Sequence, residues 1–180
     1  MYFMSPQMDI YKALAPHMRD KRVLDVGFGF GFGALQFTPY AASVTGVELD
    51  NEAVNFANAT IPGVRWEWGD IQRGVHYLGS DYDAVVMIEV LEHISEWQLA
   101  LLNVLDVLKP GGLFYISARN ANADLRKNDL HERELTAKQF KNALSHYFDD
   151  VQLWDYKLEI PQGEDTHQTP LIAIATKGRL

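Results

Sequence analysis

Short apolar runs and helical patterns alternate along most of the chain. Residues 21–27 read as a first strand centred on Val23-Leu24-Asp25-Val26. Residues 43–48, 64–68, 82–88 and 113–117 read as four more. The fourth, Tyr82 onward, is continuously apolar, as strands covered on both faces are. Between them lie helical patterns at 32–39, 51–60 and 96–108, with Asp50 placed to cap the second and Pro110-Gly111-Gly112 to end the third. A helix capped by Thr136 covers 136–147, and two late strands follow at 151–156 and 171–176. Strand–helix repeats predict a parallel sheet with helices on both faces. The last two strands have no helix between them, which predicts one antiparallel strand near the C-terminus. No repeat or linker interrupts the pattern, so residues 1–180 read as one domain, with 1–20 as an N-terminal helical cap and 119–134 as an acceptor-side loop.

Composition narrows the picture. The chain has 180 residues, 47% of them hydrophobic. No apolar run approaches the roughly 20 residues of a membrane-spanning helix. The start, Met1-Tyr2-Phe3-Met4, has no basic signal-peptide character. The expectation is a protein without a transmembrane segment, in the cytoplasm. There are no cysteines, which excludes disulfides, thiolate metal sites and a cysteine nucleophile. The net charge of -8 argues against a long nucleic-acid footprint, because such surfaces neutralise phosphates with Lys and Arg.

The candidate chemistry begins where the first strand meets the next helical pattern. Gly27, Gly29 and Gly31 there allow a tight turn and a close ligand approach to the backbone. Glu48 ends the second strand, where an acid accepts hydrogen bonds from ribose hydroxyls. Asp70 and Ile71 follow the third, and offer a carboxylate and an apolar face to an adenine. The alternatives are a turn role for Asp70 and a solvated strand end for Glu48. A nicotinamide-dependent dehydrogenase is the competing nucleotide-binding class. It would show Gly-x-Gly-x-x-Gly, whereas here glycines recur at every second position through Gly33.

Taken in order, Val23-Leu24-Asp25-Val26-Gly27, Val44-Thr45-Gly46-Val47-Glu48, Gly69-Asp70, Tyr82-Asp83-Ala84-Val85-Val86 and Leu108-Lys109-Pro110-Gly111-Gly112 resemble the class I S-adenosylmethionine-dependent methyltransferase superfamily. The resemblance covers about residues 21–177. It implies a Rossmann-like three-layer sandwich on a mostly parallel seven-stranded sheet. It implies that Asp25 and the glycine turn hold the methionine end of S-adenosylmethionine, Glu48 and Leu49 the ribose side, and Asp70 with Ile71 the adenine. Phe28 and Phe30 depart from the family, which usually has smaller residues between these glycines. Such rings either narrow the pocket or turn outward as a lid or interface.

The reactive end is expected in Glu89-Val90-Leu91-Glu92-His93, after the fourth strand, with Glu89 and Glu92 one helical turn apart and so able to converge. Ligands of such sheets bind at the carboxyl ends of strands, near the reversal of strand order. The stretch resembles two branches of the superfamily. One is the ubiquinone-pathway O-methyltransferases, the closer match overall. The other is the small-RNA 3′-terminal 2′-O-methyltransferases, and this resemblance implies Glu89, Glu92, His93 and His131 as ligands of a divalent cation (Mg, Mn or Zn). A metal gripping a vicinal diol lowers the pKa of the attacking oxygen. In the alternative, His93 is a metal-free base, Glu89 binds the amino group of S-adenosylmethionine, Glu92 stabilises a helix start and His131 belongs to a loop over the site. The leading expectation is O-methylation of a small-molecule acceptor. An RNA end, met by Arg119, Arg126 and Lys127, is the second, and a non-catalytic S-adenosylmethionine-binding subunit the third. The apolar N-terminus either closes over the acceptor or packs in a homodimer.

Overall fold

A computed structural model describes residues 6–123 and 134–178. Its seven strands form one sheet: β1 Arg22–Val26, β2 Ser43–Glu48, β3 Arg65–Trp68, β4 Tyr82–Met87, β5 Leu108–Ala118, β6 Asp150–Trp154 and β7 Leu171–Thr176. The order across the sheet is β3-β2-β1-β4-β5-β7-β6. Strands β1 to β5 pair in parallel, and β7 runs antiparallel to both β5 and β6. The single reversed strand expected near the C-terminus is therefore β7.

Alternate residues of the central strands feed two cores. Leu24, Val85, Met87 and Phe114 pack on one face with α3 (Trp97–Val107) and α4 (Ala137–Ser145). Val23, Ala84, Val86 and Tyr115 pack on the other with α1 (Pro6–Leu14) and α2 (Asn51–Thr60). Burial on both faces explains why these strands read as near-continuous apolar runs. The caps behave as expected. Asp50 accepts from the Glu52 amide at 2.8 Å, and Thr136 and Gln139 form a reciprocal capping box.

Three elements differ from expectation. The pattern at 32–39 yields only a short 3-10 turn, Ala34–Phe37. It is hemmed in by Gly33, whose backbone lies against the Tyr11 ring, and by Pro39. Pro110-Gly111-Gly112 does not separate α3 from β5 but lies within β5. The Gly111 amide donates to Lys177 O and the Lys177 amide to Gly112 O, both at 2.9 Å, so the end of β7 extends the pairing across this turn. Residues 89–93 form no α-helical turn; Leu91–His93 is a 3-10 turn. Among the described residues, no helix is long and apolar enough to cross a membrane.

Candidate functional site

The chain runs outward from β1 through β2 to β3, then returns to place β4 on the other side of β1. The reversal lies between β1 and β4, and their carboxyl ends carry Gly27 and Glu89. Two clefts open there and share both residues. The first, about 270 Å³, is also lined by Glu48, Asp70, Ile71 and His93. The second, about 370 Å³, is lined by Gln7, Met8 and Tyr11 of α1 and by the turn through Phe30 and Phe32. Crevices at such a switch point are where open parallel sheets take ligands.

Gly27 sits at φ +72°, and a Cβ there would lie 2.4 Å from Val90 Cγ2. Only glycine lets the strand turn under Val90. At Gly29, also left-handed at φ +56°, nothing lies within 4 Å of a Cβ. That backbone faces open space, an opening a ligand can approach.

Glu48 is set by the main chain. One carboxylate oxygen accepts from the Gly29 amide at 2.9 Å, and the other from the Leu49 and Asp50 amides at 2.7 and 3.1 Å. The second strand's acid is thereby tied to the glycine turn of the first. Asp70 caps the turn Ile71–Arg73, accepting from the Gln72 amide at 2.9 Å, while it also lines the first cleft. The turn role and the cleft position coincide.

Asp25 is placed differently from what the resemblance implies. It is fully buried and lines neither cleft. The Tyr11 hydroxyl lies 3.1 and 3.2 Å from its two oxygens. Burial pushes the Asp25 carboxyl well above the usual carboxylate range; the Tyr11 bond opposes the rise and the nearby Glu48 charge adds to it. Burial, then the Asp25 charge, also pushes the Tyr11 hydroxyl up. Sequence reading passed over Tyr11. Its only signal was a tyrosine on the apolar face of the N-terminal helix.

Glu89 adopts φ +55°, an uncommon conformation for a non-glycine residue. Its amide donates to Ser117 Oγ, and the Ser117 hydroxyl donates back to its carboxylate, both at 2.9 Å. Ser117 thus fixes Glu89 at the junction of the clefts. Glu92 turns inward instead. It is 3% exposed, with its Oε2 buried and without a hydrogen-bond partner among the described residues. Burial first, and then the Glu89 charge, push its carboxyl up to about 7, against the opposing pull of the Glu92 and Arg119 amides.

The expected metal site is not assembled. Among the described residues no group of three His, Asp or Glu side chains comes together to hold an ion. Glu92 is committed to the Arg119 backbone, and His93 is exposed on the wall of the first cleft. His131, Arg126 and Lys127 lie outside the described residues. Arg119, expected to meet a terminal phosphate, is paired with Glu134 at 3.0 Å. Phe28 packs into the core against Trp66, whereas Phe30 and Phe32 turn out to solvent.

A methyltransferase-domain family model matches residues 24–116. The fatty-acid O-methyltransferase of Mycolicibacterium smegmatis is 36% identical over 104 residues, 55% of this chain and 38% of that protein. The ubiquinone biosynthesis O-methyltransferase of Rickettsia akari is 30% identical over 106 residues, 58% of this chain and 42% of that protein. Matches to curated relatives such as these span 38–54% of the relatives' own lengths. Among solved structures, the N-methyltransferase NodS of Bradyrhizobium japonicum, in complex with S-adenosyl-L-homocysteine, superposes with a TM-score of 0.68. It is 17% identical, and the match covers 95% of this chain and 85% of that one, a likeness of fold.

Proposed function

The chain belongs to the methyltransferase-domain family, and on that premise we propose that it transfers a methyl group from S-adenosylmethionine to an oxygen of a small-molecule acceptor. The observation that carries this reading is the Glu48 carboxylate, held by three backbone amides beside the open Gly29 backbone at the switch point. Three of its roughly four acceptor sites are taken by amides, and the one left, on the oxygen beside Gly29, is open to a ribose hydroxyl without reorganising.

When bound, S-adenosylmethionine supplies the activated methyl group. The protein's own residues divide the remaining tasks. Glu48 accepts from one ribose hydroxyl. Ile71 presents an apolar face to the adenine, with Asp70 at its edge. Glu89, held by Ser117, offers a carboxylate at the junction of the clefts to the amino group of the methionine end. His93 lies on the same wall and takes the acceptor proton. Alignment of the two reactants accounts for much of the rate. Among the described residues, Glu89, Glu92 and His93 do not come together to fit a divalent cation. The names of the two curated relatives, both O-methyltransferases, support oxygen as the receiving atom.

Calorimetric titration of S-adenosylhomocysteine into the wild type and Glu48→Ala tests the premise. The variant is expected to bind about 30-fold more weakly, the loss of roughly 2 kcal/mol from charge-assisted hydrogen bonds. A wild type that takes up no S-adenosylhomocysteine at millimolar concentration overturns the reading. His93→Ala should then lower turnover on the true acceptor with S-adenosylhomocysteine affinity unchanged.

A further inference from the structure

Phe30 and Phe32 line the second cleft and are also 54% and 51% exposed. Both rest on Phe56 of α2, itself 37% exposed. The ring centroids are 5.2 and 5.9 Å apart, each pair edge-on. The cleft wall therefore continues without a break onto an outer strip of three aromatic rings. The inner wall adds Met8, Phe28, Ile88 and Glu89. Among the described residues, neither cleft is lined by a Lys or Arg.

We propose that the Phe30–Phe32–Phe56 strip is a subsite for an uncharged apolar chain carried by the acceptor, whose reacting oxygen lies near Glu89 and His93. This rests on the methyltransferase reading of the site. The continuity of the strip with the cleft selects the occupant: a chain that leaves the cleft past Phe30 and Phe32 meets Phe56 next. The area argues the same way. Three Phe rings exposed to this extent offer roughly 300 Å², far below the roughly 800 Å² per partner of a stable protein interface. Charge argues against a lipid surface, since the chain carries a net charge of -8 and anionic headgroups would repel it.

The test titrates 4-n-alkylphenols, methyl through nonyl, into the protein with and without saturating S-adenosylhomocysteine. Affinity should rise roughly twofold per added methylene, about half the increment of a fully buried one. In Phe56→Ser and in Phe32→Ser/Phe56→Ser the rise should flatten progressively, while S-adenosylhomocysteine affinity stays unchanged in Phe56→Ser. An affinity independent of chain length in the wild type, with S-adenosylhomocysteine bound, overturns the subsite and leaves the cofactor reading standing. A chain-length dependence without any S-adenosylhomocysteine binding overturns the cofactor reading and retains an apolar-chain site. A length dependence unaltered by the double variant places the chain elsewhere and overturns the proposal. Wild-type dimers that the Phe56→Ser variant dissolves, read by sedimentation, also overturn it.

Discussion

Asp25 and Glu48 stand one strand apart, each near the carboxyl end of its strand, and the fold uses them in opposite ways. Asp25 is closed off, with Tyr11 over both oxygens. Glu48 is held open by backbone amides along the first cleft. The contrast repeats after β4, where Glu89 lines both clefts and Glu92 points inward. Each open acid thus has a closed acid nearby. The closed ones lock neighbouring segments, α1 in one case and the start of the loop after β5 in the other. The open ones present their charge to a cleft. What separates the two kinds is the element packed above each position, not residue type.

The two cleft glycines give the sharpest way to break that contrast. Gly27→Ala meets Val90 and keeps a left-handed backbone, so it should lose about 2–4 kcal/mol in urea unfolding. Gly27→Ala/Val90→Ala should recover part of this; no recovery would show that the contact is not the cause. Tyr11→Phe keeps the ring against Gly33 and Phe37 but strips the donor from a buried carboxyl. A loss of about 1–3 kcal/mol is expected. The Tyr11→Phe/Asp25→Asn pair should lose less than the sum of its single variants, and strict additivity would dissolve the proposed lock.

Glu92 gives a pH-dependent test. Its folded carboxyl lies near 7 against an ordinary 4.5, so the protonated form suits the fold. The stability this adds is complete below about 4.5 and is lost as pH rises through about 7. Glu92→Gln, which cannot ionise, should therefore gain on the wild type across that window, by about 1–2 kcal/mol. A difference that does not vary with pH would mean Glu92 is not held protonated. Gly29→Ala is the smallest expected effect. Open space around its Cβ leaves only the backbone strain, about 1 kcal/mol. Its effect should show in S-adenosylhomocysteine binding more than in unfolding.

Much of this was readable in advance wherever one residue type answers to one local requirement. Asp50 and Thr136 announced their caps because side-chain oxygens satisfy the amides that a helix start leaves unpaired. Glu48 and the glycine turn were legible together, since their spacing matches one strand–turn–strand unit. The metal set was misread for a similar local reason. Glu89, Glu92 and His93 look convergent on a helical turn, but a left-handed Glu89 and a 3-10 turn send Glu92 inward. The Phe residues between the glycines left two directions open, and Phe28 and Phe30 took opposite ones.

By itself the sequence determined the alternation of strands and helices, the reversed strand at the end and the position of the glycine turn after the first strand. These follow from hydrophobic period, capping chemistry and glycine, all of which act over a few residues. Only the tertiary structure decided which acids face a cleft. That depends on contacts between segments far apart in the chain, such as Tyr11 on Asp25, Ser117 on Glu89 and the Arg119 amide on Glu92. A carboxylate is the same residue in either setting; burial and the nearest donor make it a lock or a ligand.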